Sequence, residues 1–228
     1  MWLKGFCENW RPFPVFTTNY DWTFERVVER LKQRITAGVD GFVMKPMGSI
    51  WDAQVFHRLK GARRWQFVLF KLHGSTSWYR QTSGRIVKIM HAEKDPGRLT
   101  NVVIYPTQAK TRLVDDEPFR TAYQYLRACL SIGARLCLVI GYSFRDPEIN
   151  QAFKLGLANN PRLCMIVLDP KPDKERIWSA LQCGPDKITF VEDEFRYYGI
   201  DRNAALRHAI EALMTAKSIM HQRVTARE

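Results

Sequence analysis

Three short polar clusters hold the residue types in this chain that could do chemistry. Thr17-Thr18-Asn19-Tyr20-Asp21 follows the apolar residues Val15-Phe16. Lys71-Leu72-His73-Gly74-Ser75 follows Phe67-Val68-Leu69-Phe70. Gly141-Tyr142-Ser143-Phe144-Arg145-Asp146-Pro147 follows the apolar run 136–140, and Asp169-Pro170 follows the run 163–168. Thr, Asn and Asp side chains hydrogen-bond a ribose or a carboxamide, and an imidazole acts as base or polariser near neutral pH. Glycine lets a ligand approach the backbone. A glycine-led turn entering a helix offers its N–H groups to a phosphate, and an acid at a strand end can take a ribose hydroxyl. Each cluster also has an ordinary structural reading. Asn and Asp before a helix are N-caps, a lone His is commonly a structural hydrogen-bonder, and Asp before Pro is a common turn.

Such clusters need elements to hold them. Strands are expected at 15–17, 67–72, 102–105, 136–140 and 163–168, with a weaker one at 188–191. These runs are apolar throughout rather than alternating, as in strands buried on both faces. Helical patterns lie between them, at 22–35, 118–132 and 147–159. Asp146 is a suitable N-cap for the last of these, with Pro147 at the first helical position and Asn159-Asn160-Pro161 at its end. Leu206, Ile210, Leu213 and Met220 form one stripe within 201–220, so 201–228 reads as a C-terminal helix. Strands alternating with helices predict an α/β fold with a doubly wound parallel, Rossmann-like sheet. Residues 37–66 and 78–100 fit the alternation poorly and read as a small inserted subdomain, the second with a hairpin turning at Gly84.

The chain has 228 residues, 46% of them hydrophobic and 12% aromatic. That is enough for a packed core and excludes global disorder. No apolar run approaches the length of a membrane span, and the first residues lack the apolar core of a signal peptide. Five scattered cysteines (Cys7, Cys129, Cys137, Cys164, Cys183) form no CxxC pair, which argues against a zinc ribbon and a disulfide framework. Cys137 and Cys164 read as small core residues, and the set as a whole points to a reducing cytoplasm. The net charge is +12, of which +8 falls between Gln54 and Arg98. A basic segment of this kind serves nucleic acid, an anionic dinucleotide or simply a solvated face, and the solvated face is favoured.

In order and spacing, the three clusters, together with Ile149-Asn150, resemble the sirtuin-like domain of prokaryotic anti-phage defence proteins. The likeness covers about residues 13–200, so a sirtuin-like NAD-binding domain is expected over 1–200. Val102-Val103-Ile104-Tyr105-Pro106-Thr107 is similar to the family's strand before the second half of the sheet. The resemblance implies a Rossmann-type fold that binds NAD. Sirtuins proper deacylate lysine with NAD, whereas many defence relatives hydrolyse NAD to nicotinamide and ADP-ribose. By motif match, Asn19 would position the nicotinamide ribose and the attacking water, Asp21 would support that site, and His73 would be the base or a ribose contact. Thr17, Thr18, Gly74 and Ser75 would lie along the cofactor, with Gly141 and Ser143 on the dinucleotide path and Asp169 near the adenosine ribose. The lack of zinc-ligand cysteines departs from true sirtuins and favours an NAD hydrolase over a deacylase. A nucleotide-binding module without turnover is the other reading. The family's opening strand and Gly-Ala-Gly-x-Ser loop have no counterpart before Thr17. The expectation is therefore a sheet missing its first strand, in a truncated or degenerate chain or one completed by a partner or a second copy.

Overall fold

The computed structural model describes residues 13–23, 41–46, 48–58, 67–89, 99–105, 114–194 and 208–212. The chain divides into two compact units, Leu3–Gln124 and Tyr125–Glu228. In the first unit, β1 (Phe13–Thr17) is followed by β2 (Phe42–Lys45), β3 (Gly48–Trp51) and the short helix α1 (Gln54–Arg58). Then come β4 (Phe67–Lys71), β5 (Gly74–Gln81), β6 (Ile86–Lys88) and β7 (Leu99–Val103). β1 and β4 pair in parallel, with Phe13 opposite Phe67 and Thr17 opposite Lys71. The other five strands form an antiparallel sheet in the order β2-β3-β6-β5-β7.

Aromatic side chains pack the two sheets of this unit together. Phe16 stacks on Phe70 at 4.9 Å, and Phe70 stacks on Phe56 at 4.7 Å. Phe56 meets Trp51, and Trp51 and Trp78 both meet Phe42, with ring centroids 5.2–5.8 Å apart. Each such pair adds about 0.5–1.5 kcal/mol beyond the area it buries. Phe42, Trp51 and Phe56, the aromatics described within 37–66, all take part in these contacts. They are the core of a small sheet that its Gly and Arg content hides.

The second unit is a parallel sheet with helical cover. After α2 (Phe119–Ala128), within which the division between the units falls, come a π-turn (Cys129–Gly133) and β8 (Leu136–Ile140). These are followed by α3 (Pro147–Asn159), β9 (Cys164–Leu168), α4 (Lys174–Leu181) and β10 (Ile188–Val191). β9 lies between β8 and β10, both parallel to it. Met165, Ile166, Val167 and Leu168 are at most 2% exposed. This is the central strand of the unit, and its continuous apolar run follows from burial on both faces. Asp146 caps α3 by accepting from the N–H groups of Glu148 (3.0 Å) and Ile149 (3.4 Å). Asn160 ends that helix; its buried amide donates to the carbonyls of Leu130 (2.9 Å) and Ala134 (2.8 Å), tying it to the π-turn.

The α/β class stands, with mixed rather than uniformly parallel sheets. The expected parallel strand at 102–105 is instead the end of antiparallel β7, paired with β5. The apolar run fixes a strand but not its partner, and the partner here is β5, with Gly74 opposite Val103 and Asn101 donating from Nδ2 to the Trp78 carbonyl at 3.1 Å. The hairpin expected at Gly84 is present: Tyr79 faces Val87 and Arg80 faces Ile86. Residues 1–12, on which the expectation of a missing first strand and glycine loop falls, lie outside the described residues. So do most of the expected 22–35 helix and most of 201–228, where 208–212 are helical. No helix among the described residues is long and apolar enough to cross a membrane.

Gly74 opens β5 at φ 78, and a Cβ there would stand 2.1 Å from the Val102 carbonyl oxygen. Gly84 has φ 79 but nothing within 4 Å of a Cβ. Gly74→Ala must therefore push β7 away as well as strain the backbone, whereas Gly84→Ala only strains it. The expected losses are about 3 kcal/mol or more for Gly74→Ala and about 1 kcal/mol for Gly84→Ala. Thermal unfolding of the two variants checks this order. Equal melting temperatures would contradict the close approach of β5 and β7.

Candidate functional site

Thr17 and Lys71 end β1 and β4 side by side, so the first two polar clusters leave the ribbon at the same edge. Hydrogen bonds then bind one to the other. Leu72 N–H donates to the Thr17 carbonyl at 2.8 Å. Thr76 N–H donates to the Tyr20 carbonyl at 3.1 Å, and the Ser75 hydroxyl reaches the same oxygen at 3.3 Å. Lys71 Nζ donates to the Asp21 carbonyl and, at 3.1 Å, to Ser75 Oγ. Ser75 and Ser77 share a further bond at 3.1 Å. Lys71, Ser75 and Ser77 are all buried, Lys71 to 2% exposure. The 18–21 loop is thus carried on a wall of buried polar groups.

The groups left facing outward include an amide, a phenol and a carboxylate. Asn19, Tyr20 and Asp21 are exposed, and His73 is half-buried. The backbone of His73 is pinned because its carbonyl accepts from Ile104 N–H at 2.9 Å, just before Gly74 pairs with Val103. Thr17 is buried, and its hydroxyl accepts from Asn19 N–H at 3.1 Å, which sets the direction in which the chain leaves β1. Asp21 Oδ1 accepts from Thr23 N–H at 2.8 Å, so Asp21 does cap the following turn. That backbone bond holds its carboxyl below the usual range; partial burial opposes the effect, while the Thr23 hydroxyl and the Lys71 charge assist it. Asn19, Asp21, His73, Thr17, Thr18, Gly74 and Ser75 therefore gather at one strand edge of the first unit.

The third cluster lies in the second unit, at the carboxyl end of β8. Gly141 has φ 62, is exposed, and would have nothing within 4 Å of a Cβ, so its backbone is open to a ligand. Ser143 is exposed, and its carbonyl accepts from Arg176 Nη2 at 2.9 Å. Phe144, buried at φ 53, is held by Asn150, whose amide donates to its carbonyl at 2.9 Å. Asn150 Oδ1 in turn accepts from the Tyr142 hydroxyl at 3.1 Å. Burial, helped by the Asp146 carboxylate, pushes the Tyr142 hydroxyl well above its ordinary range and keeps it a neutral donor. Asp169, at the end of β9, accepts from Lys171 N–H at 2.8 Å, the turn that its position before Pro170 predicts.

Three features escaped the sequence reading. Lys71 was part of a motif, but its burial was not foreseen; the signal was a lysine closing a four-residue apolar strand. The Tyr142–Asn150 brace had no sequence signal beyond its spacing. A shallow depression of about 420 Å³ lies on the antiparallel sheet, lined by Lys45, Pro46, Ile50 and Arg85, and none of the three clusters borders it. Part of the basic 54–98 segment is spent internally. Lys71 is buried, and Arg80 Nη2 donates to the Glu117 carbonyl at 2.9 Å. Cys129, Cys137, Cys164 and Cys183 are free thiols. Cys137 and Cys164 are half-buried rather than fully inside, and burial pushes Cys137 up to about 12. Among the described residues no group of three or more His, Cys, Asp or Glu could hold a metal.

Comparison with known proteins identifies the chain at the level of the family. The family model for the SIR2-like domain, an NAD-utilising domain, matches residues 14–185 and so spans all three clusters and Asp169. No curated protein matches the chain. With most of its length covered by that model, the chain belongs to the SIR2-like domain family.

Proposed function

We propose that this protein hydrolyses NAD to nicotinamide and ADP-ribose, as sirtuin-like proteins of prokaryotic anti-phage defence do. One observation carries the reading. The Thr17–Lys71 register brings an exposed amide (Asn19), an exposed carboxylate (Asp21) and a half-buried imidazole (His73) to one edge. This donor set suits a ribose and a water molecule. In the reaction the bond between the ribose C1′ and the nicotinamide nitrogen breaks, the water oxygen bonds to C1′, and a proton is released. Asn19 has both donors and an acceptor with which to orient the ribose hydroxyls and the water. His73 takes the proton or holds a ribose hydroxyl. Asp21, kept ionised, favours positive charge developing on the sugar.

Thr18 flanks the substrate in this reading, while Thr17, Gly74 and Ser75, assigned to the cofactor by the resemblance, are buried and brace the loop and turn beneath it. Gly141 and Ser143 are assigned to the dinucleotide path, and Asp169 to the adenosine ribose. The domain is taken to work in the cytoplasm without zinc. The lack of paired zinc-ligand cysteines in the sequence favours hydrolysis over lysine deacylation.

Incubation of the protein with NAD, followed by assay of free nicotinamide, tests the reading. Asn19→Ala and His73→Ala are each expected to lower the rate by about 10²–10⁴-fold with little change in melting temperature. Full activity in both variants would sink the assignment. Tight NAD binding with no nicotinamide released would mark a binding module instead. Metal analysis of the dialysed protein is expected to find no stoichiometric zinc, and one zinc per chain would reopen the deacylase reading.

A further inference from the structure

We infer that Lys71 is a positioning residue for the candidate site: its buried ammonium holds the Asn19–Asp21 loop against the His73 turn. The motif places Lys71 at the end of an apolar strand, beside Leu69, Phe70 and Leu72, each at most 2% exposed. Packing alone would be met there by leucine or methionine, without the cost of removing a charge from water. The charge is retained where it has a backbone oxygen to hold. Lys71 Nζ donates to the Asp21 carbonyl and to Ser75 Oγ, and Ser75 Oγ donates to the Tyr20 carbonyl. Two consecutive loop carbonyls are thereby fixed by one lysine–serine pair, and Ser77 steadies that pair from within the wall.

The consequence is geometric. Asn19 precedes the two clamped peptides, and His73 sits between Lys71 and Ser75 in sequence. Asn19 and His73 are therefore both referenced to the same buried cation through the backbone. Loss of the clamp should leave the strands paired and let the loop drift. A displacement near 1 Å at a reacting group can cost about 100-fold in rate.

The kinetic consequence rests on the NAD-hydrolase reading, so the test has two arms. The first compares wild-type protein with Lys71→Met for nicotinamide release. A fall of about tenfold or more in kcat, with KM near the wild-type value, is expected. The second follows amide hydrogen exchange in the same proteins. The Thr76 N–H, which donates to the Tyr20 carbonyl, is expected to exchange about tenfold faster in Lys71→Met, and the amides of β9 at the wild-type rate. If wild-type protein releases no nicotinamide, the hydrolase reading fails and the exchange arm alone decides the role of Lys71. If Lys71→Met does not fold, Ser75→Ala replaces it with the same exchange expectation. Unchanged Thr76 exchange in the folded variant would overturn the inference. So would equal acceleration at Thr76 and in β9, which would make Lys71 a general stabiliser.

Discussion

The parallel pairing of β1 with β4 is the constraint on which the candidate site depends. In parallel strands the carboxyl ends point the same way, and the Thr17–Lys71 register puts those ends level. Two clusters more than fifty residues apart in sequence thus become one surface. A slip of one residue would turn every side chain of β1 to the opposite face. Thr17 would then lose its buried position and Phe16 its stack on Phe70, so the aromatic packing and the site share one register.

Much of this was legible in the sequence, for physical reasons. β4 up to Phe70, β8 and β9 are apolar runs of strand length; Met165 to Leu168 of β9 are buried throughout, whereas in β8 only Val139 is. The start of α3 was legible because Asp146-Pro147 combines an N-cap with a proline whose missing N–H costs nothing there. The antiparallel sheet was not. Its strands other than β5 are short, Met44 and Gly48 are exposed, and its core is an aromatic cluster drawn from residues without simple alternation. Val102 to Tyr105 misled because an apolar run fixes the element type but not the direction of its partner. The direction comes from the partner strand β5, with Gly74 opposite Val103, which is a tertiary fact.

Net charge was the least informative feature. A basic segment read from composition invites a nucleic-acid partner, yet Lys71 lies inside the fold and Arg80 is committed to a backbone carbonyl. Two of the ten basic residues of that segment thus have hydrogen-bond partners within the fold.

The two units treat their strand-end loops by the same physical rule. In the first, Lys71 and Ser75 hold the carbonyls of Tyr20 and Asp21; in the second, Asn150 holds the carbonyl of Phe144 and Arg176 that of Ser143. In each loop the backbone is fixed through its carbonyl oxygens by side chains from elsewhere. That leaves Asn19 and Asp21 in one, and Gly141 and Ser143 in the other, turned outward. A polar cluster at a strand end therefore contains two populations, one that braces the chain and one available to a ligand. Residue type does not separate them, since serine belongs to both: Ser75 is buried and bonded, Ser143 exposed. Burial separates them, and burial follows from which residues the neighbouring strand brings alongside. The structural and functional readings of such a cluster are thus complementary, because the exposed groups can hold a fixed geometry only if their neighbours have given up exposure to hold the backbone.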